Sequence, residues 1–345
     1  MKRLFLLFFA LSTLVITTEA QVVFSKYAGE FLAVGVGGRA SAMGGAQSAA
    51  VRDVTAGYWN PAGLAFIDYP QIALMHEEHF GNLINYNYAS VAIPYGKEMR
   101  FGVSLIRLGV DGIPDTREAL IDGVTKEVIY DITNPRARLD PSRITEFNNT
   151  DYALYLTFAK RHTDKFYFGA NAKLIRRDIA EFGATGIGFD VGAVYMPYNN
   201  LYFGANIQDV TTTLIAWDTG RQELISPTLK IGTAYSLEIL GGVLTPAVDF
   251  DVKFEGREFA SNFNIGPVSF DHHFGLEFNF QDLVAIRGGY NDVNQFTMGA
   301  GLKLPKLNID YSFMRMNSSE IERLPDSHRI SLVLTLEETR FLRGN

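Results

Sequence analysis

The feature that most narrows the fold is a period-two alternation of apolar and polar residues, which begins near residue 71 and runs almost to the end of the chain. In the stretch from 166 to 175, Phe166, Phe168, Ala170, Ala172 and Leu174 fall on one face, and Tyr167, Gly169, Asn171 and Lys173 on the other. Successive side chains of a strand point to opposite sides, so this period marks a strand with one apolar face. Fourteen segments carry the pattern: 71–79, 84–95, 99–110, 149–161, 165–177, 185–197, 200–209, 227–239, 242–254, 268–281, 283–291, 294–304, 307–317 and 327–338. Most have the roughly 9–11 residues, or slightly more, that a tilted strand needs to cross a bilayer; strands of soluble proteins cluster nearer about 5–6. Short connections such as Gly96-Lys97, Tyr198-Asn199, Gln281-Asp282 and Pro305-Lys306 alternate with longer ones at 111–148, 178–184, 210–226, 255–267 and 318–326. A backbone amide in hydrocarbon has no water to bond, so only a helix or a closed sheet can span. No segment after residue 20 reads as a spanning helix; the apolar run near 237–248 is broken by Glu238, Gly241, Gly242 and Pro246.

The expected fold is therefore all-β: a transmembrane outer-membrane β-barrel of about 14 antiparallel strands, with short periplasmic turns, longer outer loops and both termini on the periplasmic side. A secreted sandwich or propeller also alternates, but strand length and loop asymmetry weigh against it. Phe166, Tyr167, Tyr195, Tyr198, Tyr290, Tyr311 and Phe313 sit near strand ends, where an aromatic girdle belongs. Such a barrel explains how 47% hydrophobic residues coexist with a mean hydropathy of only +0.03: lipid contact falls on every second residue and never forms a run.

The first twenty residues are different. Lys2 and Arg3 precede an apolar run from Leu4 to Leu11, and Thr18-Glu19-Ala20 ends in small residues. This is the pattern of a secretory signal peptide, with Gln21 as the expected mature start. The chain divides into a signal peptide (1–20), an N-terminal segment (21–70), the barrel (71–338) and a C-terminal periplasmic tail (339–345), with the cell outer membrane as its location. The absence of cysteine removes disulfides, thiolate metal sites, a cysteine nucleophile and a lipid-modified cysteine. A net charge of −7 argues against nucleic acid as a partner; outer-membrane lipid is the expected surrounding.

The segment before the barrel does not alternate. Gly35, Gly37, Gly38, Ala40, Ser41, Ala42, Gly44, Gly45 and Ala46 give it a density of small residues suited to close packing in a confined space. Gly35-Val36-Gly37-Gly38-Arg39-Ala40 loosely imitates a dinucleotide fingerprint, but no strand–helix–strand unit surrounds it. A fourteen-stranded barrel lies between eight-stranded barrels filled by side chains and porins with an aqueous channel, so its lumen needs a plug. Pro61 biases Asn60 to an extended conformation, Asn60 can bond neighbouring amides in the resulting turn, and Trp59 is expected to pack the plug against the inner wall.

Two stretches in this segment carry a resemblance. Gly38-Arg39-Ala40-Ser41-Ala42-Met43-Gly44-Gly45-Ala46 and Tyr58-Trp59-Asn60-Pro61-Ala62-Gly63-Leu64-Ala65 resemble the start of the PorV/PorQ outer-membrane family, a branch of the FadL-like barrels. That likeness implies an N-terminal hatch whose motif is Gly38, Arg39, Met43, Gly44, Gly45, Trp59, Asn60, Pro61 and Ala62. It implies a non-enzymatic protein of type IX secretion that binds and shuttles or anchors secreted proteins carrying a C-terminal sorting domain, or other secretion-machinery components. The alternative is a FadL-like transporter of hydrophobic solutes such as long-chain fatty acids. A shuttle should expose an apolar surface among its long loops; a transporter needs an apolar pocket beside the hatch.

Catalytic chemistry finds no constellation. His76 and His79 are three apart on one strand and point to opposite faces, as do the adjacent His272 and His273. Asp249 and Asp251 share a lumen face beside Lys253, an arrangement better suited to an ion-paired wall than to a metal; no cofactor is expected. The predicted lumen charges are mixed: Lys173, Lys230, Lys253, Arg287, Lys303 and Arg329 against Asp190, Asp249, Asp251, Asp271, Glu277 and Asp310. A ring of one sign would argue for an ion-selective pore; the mixture argues for internal pairing. The long loop 111–148 is acidic, broken by Pro114, Pro135 and Pro141, and carries an apolar stretch expected to contact a partner through Val124, Val128, Ile129, Tyr130 and Ile132.

Overall fold

A computed structural model describes residues 22–24, 29–79, 83–257, 260–315 and 327–337. The signal segment 1–20 and the tail 339–345 lie outside these residues.

Fourteen long strands form a closed antiparallel barrel: β1 (Gln71–His79), β2 (Ile84–Tyr95), β3 (Met99–Asp115), β4 (Thr145–Arg161), β5 (Phe166–Ile179), β6 (Phe182–Tyr198), β7 (Leu201–Gln208), β8 (Thr228–Tyr235), β9 (Gly242–Lys253), β10 (Val268–Phe280), β11 (Val284–Tyr290), β12 (Phe296–Lys303), β13 (Leu307–Arg315) and β14 (Ser327–Thr335). Each pairs with its sequence neighbours, and β14 closes on β1 with Leu332 opposite Leu74 and Arg329 opposite Glu77. Closure leaves no edge with unpaired amides in the lipid.

The alternation sets the two faces. Leu74, Val91, Phe101, Val103, Leu105, Leu156, Leu174, Phe189, Val191, Phe203, Phe274, Leu276, Ile330 and Leu332 project outward and remain exposed. In water each would cost on the order of 1.5–3 kcal/mol relative to burial; against lipid they form the apolar exterior of a spanning barrel. The opposite positions, among them Tyr86, Ser90, Ser104, Tyr155, Asn171, Lys173, Asp190, Asp249 and Arg329, are buried inside.

Four expectations are corrected. Tyr167 is not a girdle residue: it faces inward, is buried, and packs on Phe66 of the N-terminal segment with ring centroids 4.2 Å apart. The 111–148 stretch is not one loop. β3 runs on to Asp115 and β4 begins at Thr145, each with 17 residues, longer than a bilayer requires. Above them Leu120–Asp122 pairs with Ala137–Leu139 as a small hairpin. β7 is also interrupted. Its pairing with β6 ends at Ile207–Val191 and resumes at Leu214–Ile187 through a further strand, Thr213–Trp217. The extra residues are taken up in a bulge in which Asp209 and Thr212 both hold positive φ, 56° and 62°, conformations rare for residues with a Cβ. Finally, the described chain does not begin at the periplasmic end. Val22–Phe24 pairs in parallel with Gln222–Ile225, a strand of the outer connection between β7 and β8.

From there the chain enters the barrel. Residues 29–67 form short helices, α1 (Gly38–Ala42) and α2 (Ala56–Trp59), and a tight 3-10 turn, Pro61–Phe66. Most of their residues are almost fully buried, including Val36, Met43, Val54, Ala62 and Leu64. The segment crosses the lumen from the outer end to the periplasmic end, where Gln71 starts β1.

Candidate functional site

The N-terminal segment meets the wall backbone to backbone, because the wall presents glycines to it. A Cβ on Gly169 would stand 2.5 Å from the Pro61 carbonyl carbon, and one on Gly275 2.6 Å from the Met43 carbonyl oxygen. On Gly192 it would strike Asn60, on Gly204 Ser48, and on Gly289 Met43 and Gly44. Only glycine allows this approach. The segment's own Gly44 and Gly45 adopt φ of 63° and 83° where they lie against Phe274 and Tyr290, and against His273.

Polar side chains then fix the position. Asn60 is extended (φ −157°) before Pro61. Its Oδ1 accepts from the Ala62 amide at 3.1 Å and caps the tight turn, while its Nδ2 donates to the Ser48 carbonyl at 2.6 Å. Gly38 donates its amide to Ser331 Oγ at 2.8 Å, and Gly44 to Thr297 Oγ1 at 3.1 Å. The Ser48 amide donates to Asp249 at 2.6 Å. Arg39 makes a two-pronged bond to Glu277, at 2.9 and 3.0 Å. Trp59, expected to press on the wall, ties the segment chiefly to itself. Its indole N–H donates to the Val36 carbonyl at 2.9 Å and its ring sits edge-on to Tyr58 at 4.9 Å.

One device was missed in the sequence although its signal is written there twice. Tyr167-Phe168-Gly169-Ala170-Asn171 on β5 and Tyr202-Phe203-Gly204-Ala205-Asn206 on β7 are the same pentapeptide. In both, the tyrosine packs against Phe66, the glycine yields to the segment's backbone, and the asparagine donates to one of its carbonyls: Asn171 to Gly57 at 2.8 Å and Asn206 to Trp59 at 3.0 Å. The two copies flank β6 and grip the same short stretch.

Most of the mixed lumen charges pair internally. Lys173 binds Asp190 at 2.8 Å and Asp209 at 2.5 Å; Arg287 binds Glu277 and Asp310, both at 2.6 Å. Lys230 pairs with Asp251, Arg257 with Asp271, and Arg329 with Glu77. Lys303 sits at the periplasmic rim, bound to Asp282 at 2.6 Å. Among the described residues no group of histidines and carboxylates is arranged to hold a metal.

Among the described residues a cavity lies on each side of the N-terminal segment. The outer one, about 330 Å³, is bounded below by Ser41, Gly44, Gly45, Tyr58 and Trp59. Its walls are Leu32, Val34, Leu224, Ile225 and Met314 together with Lys230, Asp251, Lys253, Glu255, Arg257, His273 and Asp292. The periplasmic one, about 320 Å³, lies among Arg39, Arg52, Asp53, Glu277, Arg287, Lys303 and Asp310. The outer cavity is thus beside the segment, as a transporter requires, but its lining is mixed rather than apolar.

Of the loop residues expected at a partner surface, Val124, Tyr130 and Ile132 are strongly exposed, at 73%, 87% and 79%. Val128 and Ile129 are half-buried; Val128 bridges to Ile121, and the Ile129 amide donates to the Leu120 carbonyl at 2.9 Å.

No protein-family model matches the chain, and no curated protein does. Solved structures do. The Ralstonia pickettii toluene transporter TbuX is similar with a TM-score of 0.58 at 13% identity, over 87% of this chain and 98% of that one. The CymD monoaromatic hydrocarbon channel gives 0.61 at 11% identity, over 88% and 98%. A Pseudomonas aeruginosa FadL homologue gives 0.51 at 13%, over 87% and 97%. The chain has the fold of a FadL-like outer-membrane barrel. At this identity the likeness speaks for the fold; the resemblance to the PorV/PorQ branch rests on the N-terminal residues alone.

Proposed function

We propose that the protein is a solute channel of the FadL-like kind. A small solute with an apolar part enters the outer cavity, and displacement of the N-terminal segment, acting as a hatch, admits it to the periplasmic cavity. The observation that carries this reading is the pair of cavities separated by a buried segment gripped on several strands. A cavity of about 330 Å³ is at the small end of ligand sites, which suits the ring-sized solutes named for the similar toluene and hydrocarbon channels. In intact cells, deletion of the protein should slow uptake of a labelled monoaromatic solute, and re-expression should restore it. Uptake independent of the protein would contradict the reading.

A second reading, protein binding of the PorV/PorQ type, is favoured by the exposed Val124, Tyr130 and Ile132. Photo-cross-linkers at these three positions should then capture secreted proteins that share a C-terminal domain. Cross-links to none would oppose it.

A further inference from the structure

The N-terminal segment has two parts that sit on opposite sides of the lumen. In the later part, residues 56–66, the turn Pro61–Phe66 lies against β3–β6 and borders neither cavity. Buried wall asparagines hold this part by its carbonyls, Asn171 at Gly57 and Asn206 at Trp59. The earlier part, residues 37–47, crosses the other side as a strap, with α1 against β11–β14. It partitions the cavities: Ser41, Gly44 and Gly45 line the outer one and Arg39 the periplasmic one, so it has space on both sides. The chain is pinned to the later part at each end of the strap. Trp59 Nε1 donates to the Val36 carbonyl at 2.9 Å, and Asn60 Nδ2 to the Ser48 carbonyl at 2.6 Å.

We propose that residues 37–47 are the moving gate of the channel, with residues 56–66 as its fixed anchor and the Arg39–Glu277 pair as its latch. This rests on the solute-channel reading and assigns the part of the segment that opens. Arg39 is the one charged residue of the strap. Its two-pronged bond to Glu277 is the kind of tie that outweighs single neutral hydrogen bonds, such as those between the strap backbone and Ser331 and Thr297. Breaking a buried ion pair is costly chiefly when a charge is left without a partner. Here Glu277 keeps Arg287, bonded through Nε at 2.6 Å, and Arg287 keeps Asp310. The released Arg39 already borders the periplasmic cavity, which Asp53 and Asp310 also line. Rupture of this one pair therefore orphans no carboxylate and lets the strap bow away from β11–β14 between its two pins, joining the cavities.

Single cysteines report on the two parts, since the chain has none of its own: Ala46→Cys in the strap and Ala62→Cys in the anchor, both at fully buried positions. Each is combined with Arg39→Gln, and with Arg39→Lys, which keeps the charge, in the purified full-length barrel. Heat-modifiable migration checks the fold. Should Arg39→Gln lose it, Glu277→Gln breaks the same pair from the wall. In Arg39→Gln the thiol at position 46 should react with a maleimide about tenfold faster or more, equivalent to ~1.4 kcal/mol in the opening equilibrium. Arg39→Lys should fall between, and the thiol at position 62 should keep its parent rate. Equal acceleration at 46 and 62 would show that the segment moves as a whole. No acceleration at 46 would show that the pair is not a latch. Either result overturns the gate, and leaves the solute channel standing if cells still take up a labelled monoaromatic solute through the parent protein. Uptake independent of the parent protein would overturn both.

Discussion

At the scale of residues, the N-terminal segment, the proposed hatch, is held by what the wall lacks. Inward-facing Gly169, Gly204, Gly275 and Gly289 let its backbone lie directly on the strands, and Gly192 makes room for the Asn60 and Pro61 side chains. A side chain at Gly204 would collide with the Ser48 carbonyl, so Gly204→Val should push the hatch off β7 while the strands stay paired. With no native cysteine in the chain, a single cysteine placed at the buried Ala49 reports on this directly. It should resist thiol reagents in the parent barrel and react in Gly204→Val, with heat-modifiable migration kept in both. Equal resistance in both would mean that the glycine is not what seats the hatch. The sequence made Asn60, Pro61 and the small-residue run legible, because turn chemistry and packing density are local properties. It did not reveal that wall glycines answer them, since a glycine on the polar face of a strand reads simply as one more alternating residue.

At the scale of elements, all fourteen strands were legible, because a closed sheet facing lipid outside and polar contacts inside enforces the alternation at every turn of the pleat. What escaped the pattern lies where the sheet leaves the membrane. β3 and β4 run on beyond the apolar belt, where both faces meet water and the alternation lapses. The bulge at Asp209–Thr212 has no local marker, since neither residue is one that favours positive φ as glycine does. The outer hairpin is built on a turn that Asp122 holds: its carboxylate accepts from the amides of Val124 and Thr125 at 2.7 and 3.1 Å. These bonds hold its pKa below the ordinary carboxylate value of about 3.9. A carboxyl that is more acidic when folded contributes its full stabilisation above that ordinary value and loses it as pH falls through the folded one. Protection of the Val124 amide from hydrogen exchange, corrected for intrinsic rates, should therefore stay constant from neutral pH to about 5. It should fall below about 4, and the fall should be absent in Asp122→Asn. Protection unchanged in acid would show that the turn does not depend on the ionised carboxylate.

At the scale of the whole molecule, the barrel is a wall of paired strands around a lumen that its own N-terminal chain occupies, and we propose that this chain closes it. Internal ion pairs such as Lys173 with Asp190, Arg287 with Asp310 and Arg329 with Glu77 replace what would otherwise be a charged pore lining. Closure follows from the arrangement: strands that need no further partner, and a hatch whose hydrogen bonds reach β5, β7, β9, β10, β12 and β14. The direct measurement is ion conductance across a planar bilayer of the purified protein beside a variant lacking the hatch residues 30–67. The intact barrel should stay silent, and the hatch-less barrel, still heat-modifiable, should conduct steadily. A steady, open conductance in the intact protein, or silence in the inserted hatch-less variant, would contradict a barrel closed by its hatch.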